Sequence, residues 1–108
     1  MGENWLPQKY KVVLSPNYRE TRRKVFLYIS EKWWENSVEN FNVLLGKRLR
    51  NPAVFPNGYP RYQNTPYRRF LVWDYLVLFR VDVDSGRVIV FGIYHSSQNL
   101  SELLSADD

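Results

Sequence analysis

The sequence predicts an α+β domain with the order β-α-α-β-β-β, its antiparallel-dominated sheet covered on one face by a helical hairpin. Three observations carry that prediction. A β-branched run, YKVVL at 10–14, opens the ordered part of the chain; two consecutive stretches with helical apolar spacing follow it; and the stretch from Tyr67 to Gln98 reads as three strands joined by tight turns. The length of 108 residues suits one domain spanning 1–108, large enough for a core and too small for two.

Residues 1–8 read as a loose leader with Trp5 as a candidate anchor. Ser15-Pro16 marks the first helix start, because a serine hydroxyl accepts an orphan backbone N–H and proline is tolerated at the first helical position. Tyr18, Val25, Ile29 and Trp33 then form one apolar stripe. Arg19, Arg22, Arg23 and Lys24 fall mostly beside it and read as a solvated face ahead of a nucleic-acid footprint. The pattern breaks at Trp34-Glu35-Asn36-Ser37, where Asn36 or Ser37 can cap a second helix running through Val38, Phe41, Leu45 and Leu49 to about Arg50. So short a link predicts an antiparallel helical hairpin. Gly46, a poor helix former, is read as a point of close approach to another element, and the basic Lys47, Arg48 and Arg50 suit the negative end of the helix. Residues 51–66 contain four prolines and read as a loop.

Arg68 to Trp73, Tyr75 to Val83 and Arg87 to His95 are the three predicted strands, with Asp74 at one turn and Asp84-Ser85-Gly86 at the other. Connections this short allow only antiparallel neighbours. Strand alternation puts Tyr75, Val77, Phe79 and Val81 on one face and Leu76, Leu78 and Arg80 on the other, and the first set is assigned to the helix side. The chain scarcely supplies a cover for that second face, which is expected to be an open apolar patch with a basic rim. The tail, 99–108, reads either as a short helical turn through Leu100, Leu103 and Leu104 or as a flexible acidic end. Of Trp33, Trp34 and Trp73, at least two are expected in the core.

Composition excludes several classes. There is no cysteine and one histidine, so thiolate chemistry is absent and neither a metal site nor a cofactor is expected. No apolar run approaches the roughly 20 residues of a membrane-spanning helix, and the first residues lack a signal-peptide pattern, so a cytosolic protein with no membrane partner is expected. A net charge of +4 favours an acidic partner, protein or nucleic acid. Aromatic residues make up 17% of the chain, more than one small core needs, and surplus aromatics serve interfaces.

The order of elements, with YKVVLSP before the first helix, Leu49…Phe55-Pro56-x-Gly58 after the second, the strand Tyr75-Leu76-Val77-Leu78-Phe79-Arg80-Val81 and Ile93-Tyr94-His95 near the end, resembles the ParE/RelE superfamily of bacterial toxin–antitoxin toxins. The resemblance covers about Tyr10 to Gln98. Members similar to RelE and YoeB cut mRNA on the ribosome, whereas ParE-like members poison DNA gyrase. Where the YoeB-like site has a strand arginine this chain has Leu76, and where it has a histidine–tyrosine pair this chain has His95-Ser96. RelE-like members use lysines and arginines around the sheet and a late tyrosine, for which Arg68, Arg69, Arg80, Arg87, Lys47 and Tyr94 are the stand-ins. Arg68, the YLVLFRV strand and His95 match the ParE-like pattern. The resemblance therefore implies a non-catalytic gyrase inhibitor neutralised by a cognate antitoxin, with Arg68, Leu76, Leu78, Arg80, Tyr94 and His95 as partner-binding residues. Two alternatives stay open: a ribosome-dependent mRNA endonuclease with His95, Arg68 and Arg80 as catalytic residues, and a family member that only binds.

Overall fold

The computed structural model describes residues 10–105, so the leader with Trp5 lies outside the described residues. Strand β1 (Lys11–Leu14) leads into helix α1 (Pro16–Lys32), helix α2 (Ser37–Arg48), two single 3-10 turns at Asn51–Ala53 and Pro56–Gly58, strands β2 (Arg68–Val72), β3 (Tyr75–Asp82) and β4 (Arg87–His95), and a short helix α3 (Ser101–Ser105). The sheet order is β1-β4-β3-β2, with β1 parallel to β4 and the other pairs antiparallel. It is a four-stranded mixed sheet with the α+β order read from the sequence.

Ser15 caps α1 as expected: its Oγ accepts the Tyr18 N–H at 3.0 Å. Tyr18, Val25 and Ile29 are buried, but α1 stops at Lys32 and Trp33 turns extended, leaving its indole 55% exposed. Trp34 is 85% and Trp73 44% exposed, which corrects the expectation that most of these indoles lie in the core. Asn36 precedes α2 with φ 73° and makes no side-chain cap bond. Edge-on packing of Phe26 against Phe41 at 6.1 Å joins the two helices.

Apart from its chain neighbours and its own helix backbone, nothing lies within 4 Å of the place a Cβ would take at Gly46, so the expected close approach is absent. This glycine only weakens its helix. Gly46→Ala is expected to stabilise the protein by up to about 1 kcal/mol, read as a higher midpoint in urea unfolding.

The main core lies between the helices and one sheet face, where Tyr18, Ile29, Phe41 and Leu45 meet Val72, Tyr75, Val77, Phe79, Val88, Val90 and Ile93. The last three are not evenly spaced, because β4 carries a bulge. Leu78 pairs with Gly92 but Phe79 pairs with Val90, which leaves Phe91 as the extra residue and reverses the alternation beyond it. The Phe91 carbonyl accepts the Ser15 hydroxyl at 3.0 Å and the Asn17 side-chain amide at 2.9 Å, so the start of α1 holds the bulge. Gly92 is needed there: a Cβ would come within 2.5 Å of the Tyr94 hydroxyl oxygen, whose ring lies back across it.

The second sheet face is not open. Leu76 and Leu78 are buried in their own cluster with Tyr62, Tyr67, Tyr94, Leu100 and Leu104. The 51–66 connection and α3 provide this cover, pinned by the Leu100 N–H on the Tyr62 hydroxyl at 3.3 Å and the Ser101 hydroxyl on Gln63 Oε1 at 3.1 Å. The expected apolar patch at Leu76 and Leu78 is thus corrected to a second core. Ser101–Ser105 takes the helical alternative.

Tyr18 is fully buried, and its hydroxyl makes no hydrogen bond. Burial pushes its phenol up to about 12, against the pull of the nearby Arg22 guanidinium. In the unfolded chain it ionises near 10, so stability holds below pH 10 and falls as pH rises toward 12, by about 2–3 kcal/mol from this group. Tyr18→Phe is expected to match or exceed wild-type stability by up to about 1 kcal/mol near neutral pH and to lose less above pH 10. Urea titrations near pH 8 and near pH 11 measure both effects.

Candidate functional site: an aromatic groove at the end of the sheet

A groove runs between α1 and the ends of β3 and β4. Its two lobes, of about 540 and 520 Å³, share Tyr28, Tyr75 and His95. Helical spacing accounts for one wall: Lys24, Tyr28 and Lys32 succeed one another at intervals of four on α1 and so share a face. The first lobe adds Thr21, Ile93, Ser97 and Gln98, and the second adds Trp33, Trp73 and Asp74. The ammonium of Lys32 lies over the Tyr28 ring at 5.8 Å.

Trp73 and Asp74 form the two-residue turn between β2 and β3, with Val72 facing Tyr75. Trp73 has φ 55°, a left-handed conformation that bulky side chains rarely adopt. Aromatic contacts hold it: its indole packs on Phe41 at 4.9 Å and on Trp33 at 6.4 Å. Phe41 in turn meets Tyr75 at 5.4 Å, and Tyr75 meets the His95 ring edge-on at 5.7 Å. A row of rings therefore leads from the exposed indoles through the core to the histidine. Burial, then the charges of Tyr28 and Asp74, push the Tyr75 phenol up.

His95 is exposed and locally anchored. Its backbone N–H donates to Gln98 Oε1 at 2.9 Å, while Nδ1 accepts the Ser97 N–H at 3.1 Å and lies 2.8 Å from the Ser97 hydroxyl. A neutral imidazole whose Nδ1 accepts a backbone N–H carries its proton on Nε2.

Of the other residues singled out from the sequence, Tyr94 also lines the first lobe, whereas Arg68 and Arg80 lie elsewhere. Arg80 is at the far end of β3, about 17 Å along the strand from the residue that pairs with His95, and on the opposite sheet face. Arg68 is on the helix-side face but two strands across from His95 and opposite Phe79, where its guanidinium donates to the Tyr59 carbonyl at 2.6 Å. Tyr94 packs mainly on the α3 side, with Asn17 donating to its hydroxyl at 2.7 Å, and contributes to the wall of the first lobe. The register thus separates His95, Arg68 and Arg80. Cleaving RNA needs a base, an acid and a charge stabiliser at one phosphate, and these three side chains do not supply it.

Sequence reasoning missed Lys24, Tyr28 and Lys32 and undervalued Trp33 and Trp73. The four-residue spacing on α1 was the available signal. Among the described residues there is no group of three or more His, Cys, Asp or Glu able to hold a metal ion, and no helix long and apolar enough to cross a membrane.

Residues 12–100 match the family model described as the ParE toxin of type II toxin–antitoxin system, parDE. No curated protein sequence matches the chain. Among solved structures, the chain is similar to a chain of the toxin–antitoxin complex RelBE2 from Mycobacterium tuberculosis, with 13% identity, a TM-score of 0.56, and coverage of 85% of this chain and 97% of that one. At that identity the likeness shows the fold.

Proposed function

This chain belongs to the ParE toxin family of type II toxin–antitoxin systems, and from that membership we propose that it inhibits DNA gyrase through the aromatic groove and is held inactive by an antitoxin. The observation that carries this reading is the contrast between convergence and dispersal. Exposed Tyr28, Trp33 and Trp73 gather around one groove, whereas Arg68, Arg80 and His95 are spread over two faces and two ends of the sheet. Clustered, exposed aromatic side chains with large area and few rotatable bonds are the usual anchors of protein recognition. The left-handed Trp73 strengthens the reading, since strain held by surrounding structure collects at functional surfaces. On this reading the chain acts in the cytosol, where its target is.

The test is to assay the purified protein in parallel for inhibition of gyrase supercoiling and for mRNA cleavage on translating ribosomes. Inhibition without cleavage is expected. Ribosome-dependent cleavage overturns the proposal in favour of an endonuclease, and silence in both assays leaves a chain that only binds.

A further inference from the structure

The two lobes of the groove differ in what they can hold. The first is lined by Lys24 and by the hydroxyl and amide groups of Thr21, Ser97 and Gln98. The second, at the carboxyl end of α1, gathers the rings of Tyr28, Trp33, Trp73 and Tyr75 beside Asp74. Three of those rings are open to solvent: Trp33 is 55%, Tyr28 49% and Trp73 44% exposed. Aromatic faces carry negative charge density, so several of them beside a carboxylate suit an organic cation better than an anion. The end of α1 acts in the same direction, because the carbonyl end of a helix is its negative end.

The chain itself displays this preference. Lys32, in the last turn of α1, lays its ammonium over the Tyr28 ring at 5.8 Å. The lobe therefore already holds a cation, on an exposed side chain whose hold through one ring is weak enough to be exchanged. Asp74 takes no part in that hold: the ion pair found among the described residues joins Arg23 to Glu20. The turn that carries Asp74 is fixed, since the Ser96 N–H donates to the Asp74 carbonyl at 2.8 Å. Its carboxylate acts on the Tyr75 phenol, where, after burial, its charge helps to hold the proton on. Flat rings with one uncommitted carboxylate match a guanidinium more closely than an ammonium. A guanidinium is planar, weakly hydrated, stacks on aromatic faces and forks onto a carboxylate with two N–H groups.

We propose that this lobe is a subsite for an arginine side chain of the protein partner, its guanidinium stacked against the Trp33 and Trp73 indoles and paired with the Asp74 carboxylate, and that Lys32 is the resident cation it displaces. The proposal rests on the reading of the groove as the surface that meets gyrase, and it adds the chemistry that the partner must present there. The probe is the blocked tripeptide acetyl-Gly-Arg-Gly-amide, titrated into the isotope-labelled full-length chain. Two control peptides replace its arginine with citrulline, of the same shape but uncharged, and with glutamate. The arginine peptide is expected to shift the indole N–H resonances of Trp33 and Trp73 and the amide of Asp74 saturably, with a Kd of about 1–10 mM, as befits a single side chain. Citrulline is expected to bind at least about tenfold more weakly. Asp74→Asn is expected to weaken the arginine peptide about threefold, and Lys32→Met, which keeps an apolar stem and removes the competing charge, to tighten it at least about twofold. The amide spectrum of each variant reports that it is folded. Equal binding of the citrulline or glutamate peptide, shifts centred on Thr21 and Ser97, unchanged affinity of Asp74→Asn, weaker binding by Lys32→Met, or no saturation up to about 100 mM overturns the proposal. Inhibition of supercoiling without arginine binding sinks the subsite alone; arginine binding beside a failed supercoiling assay sinks the target assignment alone.

Discussion

Leu78→Ala is expected to cost about 2–5 kcal/mol of stability, a large share of the 5–15 kcal/mol that holds a domain of this size together. Leu78 is fully buried, packed among Tyr62, Tyr67, Leu100 and Leu104 on the face of the sheet away from α1 and α2. Truncation removes apolar area and leaves a cavity that β3, held by neighbours on both sides, cannot close. Had this face been an open docking patch, the same change would cost no more than about 0.5 kcal/mol. Urea unfolding followed by circular dichroism decides the matter: a midpoint shift corresponding to less than that bound would mean that α3 and the 51–66 connection do not form a second core.

Trp73→Gly is the complementary experiment, since it should spare the fold and remove activity. Glycine adopts the φ of 55° at this turn without the strain of about 1 kcal/mol that a bulky side chain bears there. That gain offsets the lost ring packing on Phe41, about 0.5–1.5 kcal/mol, though not all of the lost apolar contact. Net destabilisation is expected to stay within about 2 kcal/mol. If the proposed gyrase reading holds, inhibition of supercoiling is by contrast expected to weaken at least about 30-fold, the effect of losing one central aromatic anchor worth 2 kcal/mol or more. Arg80→Ala, on the opposite face, should leave inhibition near wild type. Inhibition curves for both variants, read beside their melting curves, test the groove assignment; equal potency of Trp73→Gly and wild type would remove the aromatic groove from the mechanism.

Much of the fold was legible because it depends on near neighbours. The Ser15 cap, the stripe through Tyr18, Val25 and Ile29, and the glycine of the β3–β4 turn, Gly86 at φ 69°, each follow from local chemistry. The shared face of Tyr75, Val77 and Phe79 followed from the alternation of a regular strand. Less was legible at the site. Trp33 continues the apolar spacing of α1 and looked like core, yet the helix ends one residue before it and the side chain turns outward. Leu76 and Leu78 looked like surface because the cover comes from a loop and a five-residue helix whose own periodicity is too short to announce it.

Element order and type are written in local chemistry: caps, β-branched runs, turn residues and apolar spacing act over a few residues, and so a single chain reveals them. The placement of His95 is not local. Counting by twos along β4 from Val88 and Val90 would turn Tyr94 toward the helices and His95 away, but the bulge at Phe91 reverses the count, burying Tyr94 beneath α3 and bringing His95 beside Tyr75. That extra residue is held by Ser15 and Asn17, more than seventy residues earlier in the chain. A contact of that range exists only once the sheet and α1 have come together, so the groove is a product of tertiary structure.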